Sequence, residues 1–191
     1  MGERRAQVLR AAIELLDEVG LDGLTMRLLA GRLGVRAGAL YRHYPSKQAL
    51  LDAMVAHLVT PPADAVPPLD GPWEERLRGL AIGMRELMLA HRDGARLMST
   101  FHDPGREAVR FYHGLIAALS AAGVPADTAA VAVETVVAYV NGYTTEEQAR
   151  ATRADARPRE LRDRAFRDGL ELIITGAAAL PHGVPAARDG G

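Results

Sequence analysis

The sequence predicts an all-α protein in which several short helices at the N-terminus precede a set of longer ones. Two observations predict this fold class. Apolar residues recur at spacings of three and four along most of the chain, as they do on one face of an amphipathic helix. No stretch of useful length alternates apolar and polar residues as a half-buried strand does, and no internal repeat is present.

The composition excludes several classes of protein. The 191 residues include no cysteine, which excludes disulfides, cysteine-bound zinc, iron–sulfur clusters and a thiol nucleophile. Hydrophobic residues make up 48% and charged residues 25%, which is an ordinary globular balance. Charges interrupt every apolar stretch before the roughly 18 residues that a membrane span needs, and no hydrophobic signal segment follows Met1. We therefore expect a soluble, cytoplasmic protein that has no membrane partner.

Charge is distributed unevenly along the chain. Residues 1–47 carry eight basic and five acidic side chains, a net charge of +3, whereas the remainder carries 15 basic and 19 acidic ones, a net charge of −4. A basic N-terminal quarter is typical of a small nucleic-acid-binding domain attached to another body. An ordinary fluctuation of surface charge would give the same margin, so both interpretations stay open.

The first helix is predicted from an apolar stripe that ends at a glycine. The stripe consists of Val8, Ala11, Ala12, Leu15, Leu16 and Val19. Gly20 terminates this helix, and Asp22-Gly23 forms the turn behind it. Thr25 is the predicted N-cap of a short second helix, which Gly34 closes in a left-handed conformation.

Two more helices are predicted in the N-terminal part. A short one runs from about residue 36 to residue 43, with Leu40 as its inward anchor. Pro45 stops it, because a proline cannot continue the helix before it. Ser46 then caps a longer helix that continues to Leu58.

The second part of the chain is predicted to form longer helices behind a loop. Residues 60–72 contain five prolines and cannot be helical. Helices are predicted over 73–91, 107–122, 126–148 and 166–180, with a short helix or turn over 95–101. The helix over 126–148 is expected to be buried on most faces, and the charged residues 150–164 are expected to be mobile. The predicted divisions are an N-terminal domain (1–46), a connecting helix (47–59), a loop (60–72), a core (73–180) and a flexible tail (181–191).

Residues 25–43 have the proportions of a helix-turn-helix, since two short helices are joined by a turn that contains glycine. In that motif the second helix enters the DNA major groove while flanking residues contact phosphates. The small and basic residues 36–39 would let this helix approach the groove, and residues 41–43 supply hydrogen-bond donors. Lys47 opens the next helix, where it can contact a phosphate. The alternative is a small all-α domain with an incidental Tyr-Arg-His-Tyr surface.

Several segments carry a family resemblance. In the N-terminal part they are Leu15–Gly20, Gly23–Ala30, Leu33–Val35, Leu40–His43, Lys47 and Leu50–Ala53. These segments resemble the DNA-binding domain of the TetR family of transcriptional regulators. Trp73, His91–Arg96 and Gly169–Ile174 are similar to the regulatory core of the family's tetracycline-binding members. The resemblance implies a ligand-binding and dimerisation core, and a homodimer that a small-molecule effector releases from a palindromic operator in double-stranded DNA.

The resemblance also implies DNA contacts residue by residue. Arg27 matches an arginine that contacts a base, and the residues that match operator and phosphate contacts are Tyr41, His43 and Lys47. Residues 37–39 stand where tetracycline-binding members have glutamine, proline and threonine, and Arg42 replaces a tryptophan. Losing that glutamine removes a bidentate contact to adenine, so we expect a different operator. The predicted DNA-binding residues are Thr25, Arg27, Arg36, Ala37, Gly38, Ala39, Tyr41, Arg42, His43 and Lys47.

The ligand pocket is predicted to differ from that of the tetracycline-binding members. Those members hold a magnesium–drug chelate with two histidines, an asparagine, a phenylalanine, a glutamine and a glutamate. The first five are replaced, in that order, by Ala63, Met98, Leu80, Met84 and Leu115, while the glutamate is kept as Glu146. The metal ligand and most polar anchors are therefore lost, and we predict neither a metal nor another cofactor.

An apolar, adaptable pocket is the expected replacement, because methionine tolerates ligands of varied shape. Its predicted lining is Leu80, Met84, Met88, Met98, Phe101, His102, Tyr112, Leu115, Tyr139 and Glu146, with His113 and Asn141 as further candidates for polar contacts. The effector is then an apolar, aromatic or polyketide-like compound. Methionines that only fill a core, and a solvated Glu146 at a helix end, are the alternatives.

The resemblance implies a dimer through a four-helix bundle of the last two long helices. The predicted contacts are Val133, Val137, Val140, Phe166, Gly169, Leu170, Ile173 and Ala177. An intramolecular core of the same residues is the alternative. The connecting helix is expected to carry ligand binding to the DNA-binding domain, with residues 91–94 as a pivot in which Arg92 and Asp93 pair locally and Gly94 permits the turn.

Other functions have less support in the sequence. The six histidines form no metal-spaced pair, and the chain has no glycine-rich phosphate loop and no nucleophile elbow, so we do not expect an enzyme. A DNA-binding regulator without a small-molecule effector stays open, as does an activator in place of a repressor.

Overall fold

A computed structural model describes residues 3–59, 71–100, 102, 105–151 and 157–180, with the backbone alone for 105–108 and 111. These residues form α1 (Glu3–Gly23), α2 (Met26–Arg32), α3 (Ala37–Tyr41), α4 (Lys47–Val59), α5 (Trp73–Leu89), α6 (Gly94–Met98), α7 (Gly105–Ala121), α8 (Ala126–Ala151) and α9 (Arg159–Ala179). Strands are absent from these ranges, which confirms the all-α prediction. Most of the predicted loop and the whole predicted tail lie outside the described residues. Among the described helices, none is long and apolar enough to cross a membrane.

The first helix bends at its glycine. α1 buries Val8, Ala12, Leu15 and Leu16 in the N-terminal domain, as the apolar stripe predicts. Gly20 adopts φ 74°, so the regular helix stops there. Residues 21–23 then resume a helical turn instead of forming the predicted reverse turn.

The predicted caps of the next helices are confirmed. The Thr25 hydroxyl oxygen accepts a hydrogen bond from the Leu28 amide at 3.1 Å and so caps α2. Gly34 takes the left-handed conformation, with φ 65°. The Ser46 hydroxyl oxygen accepts from the Ala49 amide at 3.0 Å, in the first turn of α4.

α3 is shorter than predicted, but its anchor is confirmed, since Leu40 is fully buried. Tyr44, just beyond α3, is also fully buried. Its hydroxyl donates to the Arg5 carbonyl at 3.2 Å, and the Arg5 guanidinium lies 5.0 Å from the centre of its ring. The start of α1 is therefore fastened to the end of α3.

The core is built around α8, against which α5, α6, α7 and α9 pack. Val133, Val136 and Val140 lie fully buried on this inner side. The opposite side of α8 is exposed, including Val131 and Ala138. The expectation that α8 is buried on most faces is therefore wrong for a single chain, because its neighbouring helices cover one side.

α9 begins at Arg159, well before the predicted Phe166. The Arg85 guanidinium on α5 donates to both Glu147 carboxylate oxygens at 2.8 Å and to Asp163 Oδ1 at 2.6 Å. Arg162 donates to the same Glu147 carboxylate at 2.9 Å. These ion pairs hold the charged start of α9 against α5 and α8. The prediction of mobility over 150–164 is therefore wrong for residues 159–164, while 152–156 lie outside the described residues.

Candidate DNA-binding surface and ligand-binding core

The predicted DNA-contacting residues lie on α2, on α3 and beside them. Arg27 is exposed on α2, Arg36 precedes α3, and Tyr41 on α3 is 48% exposed. Gly38 and Arg42 are exposed as well, whereas Ala37, Ala39 and His43 are half-buried. No ion pair within the described part of the chain engages Arg27, Arg36 or Arg42. Their guanidinium groups are therefore available to phosphates or base edges.

Two of the predicted DNA contacts have partners within the protein. Thr25 caps α2 through its hydroxyl oxygen. The Lys47 ammonium donates to the Leu21 carbonyl at 3.3 Å and so ties the start of α4 to the end of α1. An ammonium has three hydrogens, which leaves two for a phosphate.

The turn between α5 and α6 fastens the DNA-binding domain to the core. The Asp93 carboxylate accepts from the Leu21 amide at 2.9 Å. The Arg92 guanidinium donates to the Glu18 carbonyl at 2.7 Å. The sequence suggested that Arg92 and Asp93 pair with each other, and this is wrong, since both side chains contact α1.

Further polar contacts strengthen this junction. The Asp17 carboxylate accepts from the Arg92 amide at 2.9 Å and lies 3.0 Å from His91 Nδ1. Arg96 donates to both carboxylate oxygens of Asp22, at 2.9 and 3.1 Å. The hydrogen bond and charge of Arg96 hold the pKa of Asp22 below its usual value.

Two neighbouring residues, Asp93 and Gly94, make the turn tight, each for a different reason. Asp93 takes the left-handed conformation, with φ 55°. Gly94 has no such requirement but lacks space, because a Cβ at that position would overlap the Met88 carbonyl oxygen. Glycine is therefore needed at position 94 because the backbone of Met88 lies close to it. The sequence instead suggests a glycine that permits an abrupt turn.

A glutamine of α8 holds the same turn from the core side. Gln148 Nε2 donates to the carbonyls of Met88 and His91, at 2.9 Å each, and its Oε1 accepts from the Ala95 amide at 3.0 Å. Sequence reasoning missed Gln148, since it lies more than 50 residues from its partners and matches no motif. Through it, α8 contacts the junction that positions the DNA-binding domain.

A second link joins α4 to the core. Gln48 Nε2 donates to the Thr100 carbonyl at 2.7 Å and to Asp52 at 2.9 Å. Asp52 in turn accepts from the His102 amide at 3.0 Å. The connecting helix therefore contacts the segment directly after α6.

Most predicted pocket residues lie where α5, α6 and α7 face α8. Met88, Met98 and Leu115 are buried, and Leu80 and Met84 are half-buried against the same apolar cluster. The half-buried Tyr112 donates to the Glu134 carboxylate at 3.0 Å, and the exposed His102 has its Nδ1 3.1 Å from the Thr100 carbonyl oxygen. Phe101 lies outside the described residues.

Two predicted pocket residues lie elsewhere in the chain. The Tyr139 hydroxyl donates to the Phe166 carbonyl at 3.0 Å, and the two rings stack with their centres 5.5 Å apart. Tyr139 therefore belongs to the interface of α8 with α9. Glu146 is exposed and pairs with Arg150 one turn along α8. Neither joins the cluster around Met88 within one chain, so their contact with an effector stays a prediction.

The predicted dimer stripe is mostly interior to a single chain. Val133, Val140, Phe166, Leu170 and Ala177 are buried there, while Val137, Gly169 and Ile173 are half-buried. A Cβ on Gly169 would overlap the Tyr139 hydroxyl. Within a single chain these residues pack α9 on the rest of the core, and their contact with a second subunit stays a prediction. The apolar residues that α8 and α9 leave exposed include Val131, Leu161 and Leu172.

Two family descriptions match the chain. Residues 8–54 match the bacterial regulatory proteins of the tetR family, and residues 67–162 match the tetracyclin repressor-like C-terminal domain. Among curated relatives, the tetracycline repressor protein class A from transposon 1721 of Escherichia coli is 37% identical. That match covers 90% of this chain and 88% of the relative.

Solved structures show the same fold. A TetR variant from Acinetobacter baumannii AYE in complex with minocycline has a TM-score of 0.84 and 33% identity, covering 96% of this chain and 99% of that one. BioQ with its natural double-stranded DNA operator has a TM-score of 0.75 and 36% identity, covering 92% and 98%. Exposed arginines lie beside α3 and on α2, where the helix-turn-helix motif places DNA contacts. The two family matches and these relatives show that the chain is a member of the TetR family of bacterial transcriptional regulators.

Proposed function

We propose that this chain is a homodimeric repressor that binds a palindromic operator and is released by a small, largely hydrophobic effector. One observation carries the proposal: Arg27, Arg36 and Arg42 are exposed, and their guanidinium groups have no ion-pair partner among the described residues. A single helix-turn-helix makes limited contact, so paired domains bind two half-sites about one helical turn apart. BioQ, which is similar over nearly the whole chain, has been solved with its operator. Such a regulator acts in the cytoplasm, where the bacterial DNA lies.

The expected effector is not a magnesium–tetracycline chelate. Met98, Leu80 and Leu115 replace polar residues of the tetracycline-binding members, and all three lie in the apolar cluster of the core. An apolar compound suits thioether and aliphatic side chains better than a charged chelate does. Tight binding of tetracycline that needs magnesium and is abolished by EDTA would contradict this assignment.

Release of DNA is proposed to pass through the turn at residues 91–96. This turn contacts α1 on one side and Gln148 of α8 on the other. An effector that binds against α8 and shifts this turn would change the separation of the two DNA-binding domains. A coupling free energy of about 1–3 kcal/mol between the sites changes DNA affinity about 5- to 150-fold.

The test begins with an operator selected from a pool of bacterial genomic fragments by the purified protein. We expect Arg27→Ala to weaken binding by about 1–3 kcal/mol, the usual value of a good base contact, and to relax the sequence preference at one position. Arg32→Ala is the matched control, because Arg32 on the same helix is already paired with Glu18. Unchanged affinity and preference in Arg27→Ala would contradict the assignment.

A transcription assay separates the remaining possibilities. A repressor lowers transcription from a promoter that carries the selected operator, whereas an activator raises it. Release of the operator by apolar compounds supports the proposed effector. Operator affinity that no compound changes would instead indicate a regulator whose core is only structural.

A further inference from the structure

Two polar atoms on α8 are buried without a hydrogen-bond partner in the described part of the chain. They are the hydroxyl oxygen of Thr144 and Oδ1 of Asn141. Thr144 is fully buried, and Asn141 is half-buried with its Oδ1 inside. Folded proteins keep few such atoms, because each loses its hydrogen bonds to water without a replacement. A threonine in a helix ordinarily bonds to the carbonyl four residues earlier, and Thr144 does not.

The position of these atoms on α8 is set by the residues on either side of them. Glu134, Asn141, Thr144 and Gln148 follow one another at helical spacings of seven, three and four, so they share one side of α8. At one end of this row Glu134 contacts Tyr112 on α7. At the other end Gln148 contacts the end of α5 and the start of α6.

The unpaired atoms therefore face the region where α5, α6 and α7 pack against α8. The buried residues that these three helices contribute to the apolar core include Met88, Met98 and Leu115. None of these side chains offers a strong hydrogen-bond donor or acceptor. The two oxygens are thus unsatisfied polar positions beside buried apolar side chains.

We propose that Asn141 and Thr144 are the hydrogen-bonding anchors of the effector site, and that the effector is an apolar compound carrying a hydroxyl group. This inference rests on the proposed function and deepens it. The ligand hydroxyl donates to Asn141 Oδ1 and accepts from the Thr144 hydroxyl. Residues three apart on a helix have their Cβ atoms about 5–6 Å apart, so one hydroxyl can contact both. Neither anchor carries a charge, which favours a neutral ligand over an anion.

Selectivity for the hydroxyl follows from the same geometry. A pocket that offers buried hydrogen-bonding groups rejects a ligand that leaves them unpaired. An analogue of the same size without the hydroxyl therefore binds less tightly. This distinguishes an anchoring role from general apolar packing, which would bind both compounds alike.

The test compares 1-naphthol with naphthalene by titration calorimetry on the full-length protein. We expect the wild type to bind 1-naphthol at least about tenfold more tightly, as the loss of one good hydrogen bond implies. Thr144→Val and Asn141→Leu should each remove this preference while naphthalene affinity stays within about twofold. Thr135→Val, at an exposed threonine of the same helix, is the matched control and should keep the preference.

Three outcomes would overturn the inference: equal affinity for both compounds, binding of neither, or a preference that survives in both α8 variants. Thermal unfolding without ligand gives a second check. Thr144→Val should unfold at the same or a higher temperature, because a methyl group replaces an unpaired hydroxyl of similar size. A lower unfolding temperature would show that the hydroxyl has a structural partner, and would also overturn it.

The inference and the proposed function fail in different experiments. Thr144 and Asn141 lie in the core, so operator affinity measured without ligand should be the same in the α8 variants and in the wild type. Loss of hydroxyl selectivity with intact operator binding therefore concerns the effector site alone. Failure of Arg27→Ala to change operator binding concerns the DNA-binding proposal alone.

Discussion

Gly94 occupies a position where a side chain has no room. A Cβ there would overlap the Met88 carbonyl oxygen, which belongs to the backbone at the end of α5 and cannot move alone. Forcing extra atoms into a packed site costs about 1–3 kcal/mol. We therefore expect Gly94→Ala to lower the free energy of unfolding by about that amount, measured by urea denaturation.

Gly83 provides the control for this prediction. It is exposed in α5, and no atom of the described residues lies within 4 Å of the place that a Cβ would take. Because alanine favours a helix more than glycine does, Gly83→Ala should raise the free energy of unfolding by up to about 1 kcal/mol. An equal loss of stability in both variants would show that crowding at Gly94 is not the cause.

The buried ion pairs make stability depend on pH. Burial raises the pKa of Glu147, but the hydrogen bonds and charges of Arg85 and Arg162 outweigh it and leave this pKa below its usual value. The hydrogen bond from Arg85 likewise lowers the pKa of Asp163. Carboxylates with a lowered native pKa stabilise the fold above their unfolded pKa of about 4, and the contribution is lost as pH falls through the lower native value. We expect the thermal unfolding midpoint to fall steeply below about pH 4.

Glu147→Gln tests the source of that pH dependence. It removes the charge that faces Arg85 and Arg162, so stability at pH 7 should fall by about 3 kcal/mol, the lower end for breaking a buried pair. The decrease in the free energy of unfolding between neutral and acid pH should be smaller in this variant than in the wild type. Glu146→Gln, at the neighbouring exposed carboxylate, should change stability by less than about 1 kcal/mol at either pH. Identical acid profiles for the Glu147→Gln variant and the wild type would contradict the assignment.

At the scale of the elements, the turn between α5 and α6 depends on α8. Gln148→Leu keeps the approximate size of the side chain but removes its three hydrogen bonds to the turn. We expect the Ala95 amide, whose acceptor is Gln148 Oε1, to exchange its hydrogen at least about tenfold faster, as the loss of roughly 1.4 kcal/mol of local stability implies. Amide exchange measured by NMR would show this directly.

The Gly94 amide supplies an internal reference for that experiment. It donates to the His91 carbonyl within the turn and keeps this acceptor in the variant, while that carbonyl loses only its second hydrogen bond, the one from Gln148. Faster exchange at Ala95 than at Gly94 identifies a lost contact, whereas equal acceleration at both would indicate that the whole turn has opened. Unchanged exchange at Ala95 would show that Gln148 does not hold the turn.

Local patterns predicted the N-terminal elements well because their signals are local. Thr25, Gly34 and Ser46 act within four residues of themselves, and each cap is present. The start of α9 could not be predicted in this way. Its charges resemble a solvated segment, and only Arg85, 78 residues before Asp163, shows that they are paired inside the fold.

The candidate sites also divide into residues that a local pattern identifies and residues that only contacts between distant parts of the chain reveal. The exposed Arg27 and Tyr41 could be selected from the helix-turn-helix pattern, because that motif fixes which residues face outward. Phe166 and Leu170 are predicted to lie on a dimer surface and are buried within one chain, because an apolar stripe looks the same whether a helix of the same chain or of another covers it. Gln148 could not be found at all, since its three acceptors and donors are backbone groups that carry no sequence signal.

At the scale of the whole molecule, a dimer needs a surface that one chain leaves open. Gly169→Glu would be the obvious test from the predicted stripe, but its side chain would meet the Tyr139 hydroxyl and disrupt packing inside each chain. Leu172 on α9 is a better choice, since it is 77% exposed and Val131 on α8 is 52% exposed. Gly176 lies one turn beyond Leu172. No atom of another element in the described part of the chain lies within 4 Å of the place that a Cβ of Gly176 would take, so another helix could approach closely there.

Leu172→Glu should therefore separate the subunits without unfolding either one. Its exposure means that a charge is solvated in the single chain, whereas the same charge without a partner in a helix–helix interface costs several kcal/mol. Sedimentation velocity should show a monomer with an unchanged helical circular dichroism spectrum, and operator binding should weaken because two half-sites are no longer bound together. Val109→Glu, at an apolar residue of α7 that is 42% exposed, should remain a dimer. If the Leu172→Glu protein stays dimeric at the same concentrations, the subunits pair through another surface.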